Sequence, residues 1–195
     1  MKIFLTDISN MDDNIMNKGL ELVTDYRRNK VERCKFREDK ERSLAAGLLL
    51  NYATKMYAEY MKMQMKYEHV IDDVKDGIEC NVENNSKNNN GCDGKYNKEN
   101  NIEYKTDGNI IVNVRLDELV ENYDASYDYD IEYVANGKPV YRNSDIYFNL
   151  SHAGNYVVCA VSDKAVGVDI ERQRKNVIRV AKRFLSLIHI SEPTR

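Results

Sequence analysis

Two short stretches towards the carboxyl end carry the residue types best suited to chemistry. The first is Val166-Gly167-Val168-Asp169-Ile170-Glu171. In an extended strand, alternation sends Asp169 and Glu171 to one face, about 7 Å apart along the chain. Two carboxylates so placed repel each other, and a hard divalent cation between them relieves the repulsion. The apolar run ahead of them predicts a strand buried up to the acids, which favours a metal pair over an acidic loop. Taken alone, the triplet equally suits two acids facing solvent.

The second stretch is Phe148-Asn149-Leu150-Ser151-His152-Ala153-Gly154. Ser151 offers a hydroxyl and His152 an imidazole, expected just past a strand end where backbone N–H groups are free. Gly154 lets the chain turn there. Hydroxyl, imidazole and amides together suit a phosphate or diphosphate. A Ser/His pair for acyl transfer is the rival reading, but adjacent residues on an extended segment point opposite ways. A structural histidine is the plainer alternative. Lys138 follows the Asn136-Gly137 turn signal and could bring positive charge to an anion, or be an ordinary surface lysine.

Residues 27–42 hold eight Lys or Arg against four Asp or Glu, in a chain whose net charge is −3. Such local contrast can mark an anion site. A solvated helix face with i,i+4 ion pairs is the alternative. An RNA-contacting module would use the same charges, but only Phe36 interleaves them and no nucleic-acid motif accompanies them.

The elements that must position these residues follow from periodicity. Residues 2–7 predict an opening strand. From Asp12 the pattern is helical, with Ile15, Met16, Leu20, Val23 and Tyr26 at three- and four-residue intervals. A stronger helix is predicted over 38–66. Its stripe of Leu44, Leu48, Tyr52 and Met56, widened by Ala45, Leu49, Tyr60 and Met63, reads as core packing. Between Asn81 and Asn101, nine of 21 residues are Asn, too little apolar surface to offset the entropy of ordering. A low-complexity insertion is therefore expected at about 78–109. Strands are predicted at 110–114, 146–150, 156–161 and 166–170, with a hairpin or close return between the second and third. A helix is expected from 177 to 184. Helices early and short strands late imply an α+β fold.

A chain of 195 residues, 42% hydrophobic and 31% charged, suits one ordinary domain or two small lobes. The cysteines, Cys34, Cys80, Cys92 and Cys159, form no C-x-x-C pair, so reduced thiols fit better than zinc or a disulfide scaffold. The amino terminus turns polar at Asp7, and the longest apolar run, 44–50, is far short of a membrane span. The expectation is a cytoplasmic protein with neither a membrane nor a nucleic-acid partner.

The order of the motifs resembles the surfactin-type 4'-phosphopantetheinyl transferases. These show a basic helix entry, then Glu-Asp-x-x-Arg-Ser, Gly-Lys-Pro, Phe-Asn-x-Ser-His-x-Gly and Gly-x-Asp-x-Glu. Here they stand as Arg27 and Lys30, Glu38 to Ser43, Gly137-Lys138-Pro139, Phe148 to Gly154 and Gly167 to Glu171. The resemblance implies a pseudo-dimer of two α+β lobes with coenzyme A in the cleft between them. It implies that residues 1–163 form the first lobe and 164–186 begin the second. Arg27, Lys30 and Ser43 would lie near the 3'-phosphate of coenzyme A, and Lys138, Ser151 and His152 near its other phosphates. Asp169 and Glu171 would hold Mg²⁺, and with His152 they form the expected catalytic set. The partner implied is an acyl or peptidyl carrier protein. A non-catalytic coenzyme A or nucleotide-binding domain is the alternative.

The family also places a further metal-site glutamate after an Arg-Phe-Phe-Ser-like segment, and later a Trp-x-x-Lys-Glu motif. Here Arg183-Phe184-Leu185-Ser186 runs into residues 187–195, which are unlike the family, and the chain has no Trp. The expectation is a truncated, poorly active form with most of the second lobe missing.

Overall fold

The computed structural model describes residues 1–75, 103–106, 109–135 and 137–172. Strand β1 (Lys2–Asp7) opens the chain, burying Phe4 and Thr6. Helix α1 (Asp13–Leu22) starts where the Asp12 side chain accepts the Ile15 amide at 2.8 Å, an N-cap that satisfies an otherwise orphaned donor. Thr24 caps α2 (Asp25–Glu32) through the Arg27 amide at 3.3 Å. The helical period expected from Asp12 to Tyr26 is thus two helices, separated because Val23 is extended and Thr24 serves as a cap.

Helix α3 (Arg37–Lys75) has 39 residues, about 58 Å at 1.5 Å per residue. The strands beneath it span only about 23 Å. Leu44, Ala45, Leu48, Leu49, Tyr52 and Tyr57 are buried, whereas Tyr60 and Met63 are 38% and 57% exposed. The apolar stripe expected along this helix therefore stops where the helix outruns the sheet.

Strands β2 (Glu103–Thr106) and β3 (Asn109–Asn113) precede helix α4 (Leu116–Glu121). Strands β4 (Ile131–Tyr133) and β5 (Pro139–Tyr141) form a small hairpin around Gly137. Strands β6 (Tyr147–Ala153) and β7 (Tyr156–Ser162) close the described chain. The main sheet runs β2-β3-β1-β7-β6, parallel at β1–β3 and antiparallel elsewhere. This is an α+β arrangement. The core lies between α3 and β1, β7 and β6, joined by Val31, Val114, Leu116 and Leu119. Among the described residues, no helix is long and apolar enough to cross a membrane. Cys34 and Cys159 are free thiols.

Three expectations need correction. Ser151 and His152 are not in a turn. Strand β6 continues through Ala153, and Ser151 and His152 stand opposite Val158 and Val157 in the ladder. The turn is Gly154-Asn155, with Gly154 at φ +60°, a left-handed conformation that glycine takes without Cβ strain. Residues 165–172 form no strand, and the amides of Val168 and Ile170 meet side chains rather than a neighbouring backbone. The insertion expected at about 78–109 overlaps β2, which pairs with β3 in register Tyr104–Ile111. The rest of that insertion up to 102, the helix expected at 177–184 and the segment 187–195 lie outside the described residues, as does the second-lobe segment beyond residue 172.

Buried Asn51 fastens α3 to the loop after α4. Its amide nitrogen donates to the Asp124 carbonyl at 2.9 Å and to Asp128 Oδ1 at 2.8 Å, and its oxygen accepts the Asp124 amide at 3.2 Å. Asn51→Ala strands these partners, so thermal or urea unfolding should show a loss of about 1–3 kcal/mol. A loss below the error of the measurement would mean the loop is held elsewhere.

Candidate functional site

Residues 166–170 are held by three side chains, two of them two residues apart on β6. Lys138 Nζ donates to the Val166 carbonyl at 2.9 Å. The Val168 amide donates to Asn149 Oδ1 at 2.9 Å, and the Ile170 amide donates to Ser151 Oγ at 3.3 Å. Ser151 Oγ in turn donates to Asp169 Oδ1 at 2.8 Å. Three stretches far apart in sequence thus meet: the Gly-Lys-Pro turn, the edge strand β6 and the acid-bearing segment.

Although no strand forms here, the alternation persists. Val166, Val168 and Ile170 are half-buried, whereas Gly167, Asp169 and Glu171 are exposed. Both acids are therefore exposed, an arrangement that the alternative of two acids facing solvent describes equally well. Among the described residues no group of three or more His, Cys, Asp or Glu side chains gathers. Two carboxylates fit Mg²⁺, which is commonly bound through one or two of them plus phosphate oxygens and water. His152 is exposed, and strand alternation puts it on the face of Phe148 and Leu150, opposite Ser151. No hydrogen bond among the described residues joins it to either acid.

The basic segment divides. Lys30 is exposed on α2, whereas Arg27, three residues earlier, is only 8% exposed. Its stem runs over α3 at Gly47, where a Cβ would stand 2.8 Å from Arg27 Cγ and Nε. Glycine here is the condition for the arginine's path. Arg27 Nη1 reaches the Ser43 carbonyl at 3.5 Å, a long hydrogen bond. Burial lowers the guanidinium pKa. The Ser43 hydroxyl is also buried and, among the described residues, has no hydrogen-bond partner. Beside Arg27 lies a cavity of about 40 Å³, lined further by Asn51, Tyr123, Asp128 and Tyr141. The cavity thus combines a buried cation with the acidic Asp128, and the Ser43 hydroxyl is not part of its lining.

Sequence reasoning missed Arg42 and Asn149. Arg42 donates to the Gly154 carbonyl at 3.2 Å and to Asp39 Oδ1 at 2.7 Å. It links the start of α3 to the turn that follows His152. Its signal was the Glu-Asp-x-x-Arg-Ser spacing itself. For Asn149 the signal was its position two residues before Ser151, which puts both on one face of a strand.

Comparison with known proteins finds relatives over part of the chain. A Bacillus subtilis 4'-phosphopantetheinyl transferase is 44% identical over 57 residues, 29% of this chain and 25% of its own length. One from Bacillus pumilus is 50% identical over 52 residues, 26% and 22% respectively. A third, from Aneurinibacillus migulanus, is 48% identical over 48 residues, 25% and 20%. The matches thus span a quarter or less of these relatives' own length. No family model matches the chain. Over the matched segment, the resemblance to 4'-phosphopantetheinyl transferases is borne out.

Proposed function

We propose that this chain, which shares a segment with 4'-phosphopantetheinyl transferases, serves to move the 4'-phosphopantetheine group of coenzyme A to a serine of an acyl or peptidyl carrier protein, with Mg²⁺. The observation that carries this reading is the Ser151–Asp169 hydrogen bond. It supports reading the phosphate-type stretch and the acid pair as one site. Lys138 is tied to the same segment through Val166.

In this reading Arg27, Lys30 and Ser43 receive the 3'-phosphate, and Lys138, Ser151 and His152 lie by the diphosphate. Asp169 and Glu171 hold the metal, and His152, on the opposite face of β6 from Ser151, is kept in the catalytic set on the resemblance alone. The fold is the first lobe of a pseudo-dimer, with the second lobe starting at 164 and coenzyme A in the cleft. The serine hydroxyl oxygen attacks the β-phosphorus of coenzyme A and gives up its proton to solvent; a new P–O bond forms, and the bond to adenosine 3',5'-bisphosphate, which leaves, breaks. No covalent enzyme intermediate is needed. Bound at the acids, Mg²⁺ would neutralise charge on the diphosphate. The chain's own contribution is position and fixed positive charge: Lys138 beside the acid segment and Arg27 at the far phosphate.

The test titrates coenzyme A by calorimetry in Mg²⁺ and in EDTA, then adds an apo carrier protein and weighs it by mass spectrometry. Tighter binding in Mg²⁺, with a phosphopantetheine mass gain that EDTA abolishes, is expected. Equal binding in both, without mass gain, would replace the transferase with a non-catalytic coenzyme A binder. No binding in either would remove both readings.

A further inference from the structure

We infer that Asn149 and Ser151 are positioning residues that template the acid-bearing segment, with the Ser151 proton serving Asp169 rather than a phosphate. The inference rests on the proposed metal role of the acids for its functional consequence, but the template itself does not.

Strand β6 is the edge of the sheet. Residues 165–172 do not extend that edge with a backbone ladder. Instead, two amides spaced two residues apart, Val168 and Ile170, donate to two side-chain oxygens spaced two residues apart, Asn149 and Ser151. Both spacings are about 7 Å in extended chain, so the registers match. Side chains on one face of a strand stand off the sheet, so such acceptors hold the segment over the face rather than beside the edge. Shifting the segment by one residue would offer Gly167 and Asp169 amides instead, and would turn both acids inward.

The serine inventory then assigns its role. A hydroxyl has one proton and two acceptor sites. Here the proton goes to Asp169 Oδ1 and one acceptor site takes the Ile170 amide. While these bonds hold, Ser151 has no proton for a phosphate. It fixes one oxygen of Asp169, and among the described residues the other oxygen accepts no hydrogen bond. Asn149 has no ionisable group and reaches the acids only through the backbone it holds.

The experiment uses the 195-residue chain, amide exchange by NMR, and Mn²⁺ alone as the probe, followed by electron paramagnetic resonance. In the unaltered chain, Val168 and Ile170 amides should exchange more slowly than those of Gly167 and Asp169. Asn149→Ala should accelerate exchange at Val168, and Ser151→Ala at Ile170. Ser151→Ala should also weaken Mn²⁺ binding on the order of tenfold, the usual cost of losing a group that orients a metal ligand. Ser151→Thr, which keeps the hydroxyl, should restore both. Unchanged exchange in the alanine variants would overturn the template. Unchanged Mn²⁺ affinity in Ser151→Ala, where Asp169→Asn does lower it, would overturn the role towards Asp169. If Asp169→Asn has no effect on Mn²⁺, the metal reading of the acids fails, and exchange alone decides the template.

Discussion

Phe148→Ala is expected to lower the unfolding free energy by about 3–5 kcal/mol, the cost of emptying an aromatic site in a packed core. Phe148 is 3% exposed, and its ring centroid lies 4.5 Å from that of Tyr141, which in turn lies 5.2 Å from that of Tyr129. Strand β6 is an edge strand with a ladder on one side only, so it depends on side-chain packing for its place. Domains of this kind have roughly 5–15 kcal/mol in total, so the loss would bring the chain near its unfolding threshold. The same strand carries Asn149, Ser151 and His152, so the core and the candidate site fail together. Phe148→Leu, which keeps most of the apolar volume, should cost less than half as much. Urea denaturation measures both, and a cost under about 1 kcal/mol for alanine would show that β6 is not anchored through this ring.

Phe148 also shows why part of the fold was legible in the sequence and part was not. Apolar residues that recur with the period of their element reported themselves: Phe4 on β1, Leu44 and Leu48 on α3, and the run from Val157 to Val161 on β7, each buried. The polar members of β6 did not. Asn149 and Ser151 interrupt an apolar strand because they hold another segment, and polar residues near a glycine read locally as a turn. Residues 166–170 kept the alternation of a strand, but alternation says which way side chains face and not what the amides bind. The alternation of exposed acids with half-buried apolar residues was therefore legible, while the support of the segment was not. The exposed end of α3 illustrates a different limit. Met63 fits the stripe, yet a stripe carries no information about where the opposing sheet stops. Arg42 lay within a recognised spacing, but its contact with the Gly154 carbonyl joins positions 112 apart, which no local pattern encodes.

Arg27→Met should change stability and ligand binding in opposite directions. The guanidinium is buried, its pKa is lowered chiefly by that burial, and its hydrogen bond to the Ser43 carbonyl is 3.5 Å long. Among the described residues no carboxylate lies within ion-pair distance of it. Desolvating a cation costs several kcal/mol unless close partners compensate. Replacing even a buried ion pair by apolar residues of similar volume often stabilises by about 1–4 kcal/mol, and a cation without a carboxylate partner has less attraction to lose. Methionine is unbranched and flexible enough to follow the path over Gly47. An unfolding free energy higher by about 1–4 kcal/mol is therefore expected. A cation kept at that cost has its compensation elsewhere, and an anionic ligand would supply it. If that ligand is the 3'-phosphate of coenzyme A, losing a charge-assisted hydrogen bond of about 1.5–3 kcal/mol weakens binding on the order of tenfold to a hundredfold. Coenzyme A lacking the 3'-phosphate separates the two possibilities. It should bind the unaltered chain and Arg27→Met alike, whereas intact coenzyme A should distinguish them. A variant that is less stable and binds intact coenzyme A unchanged would identify Arg27 as a structural residue whose partner is the protein itself.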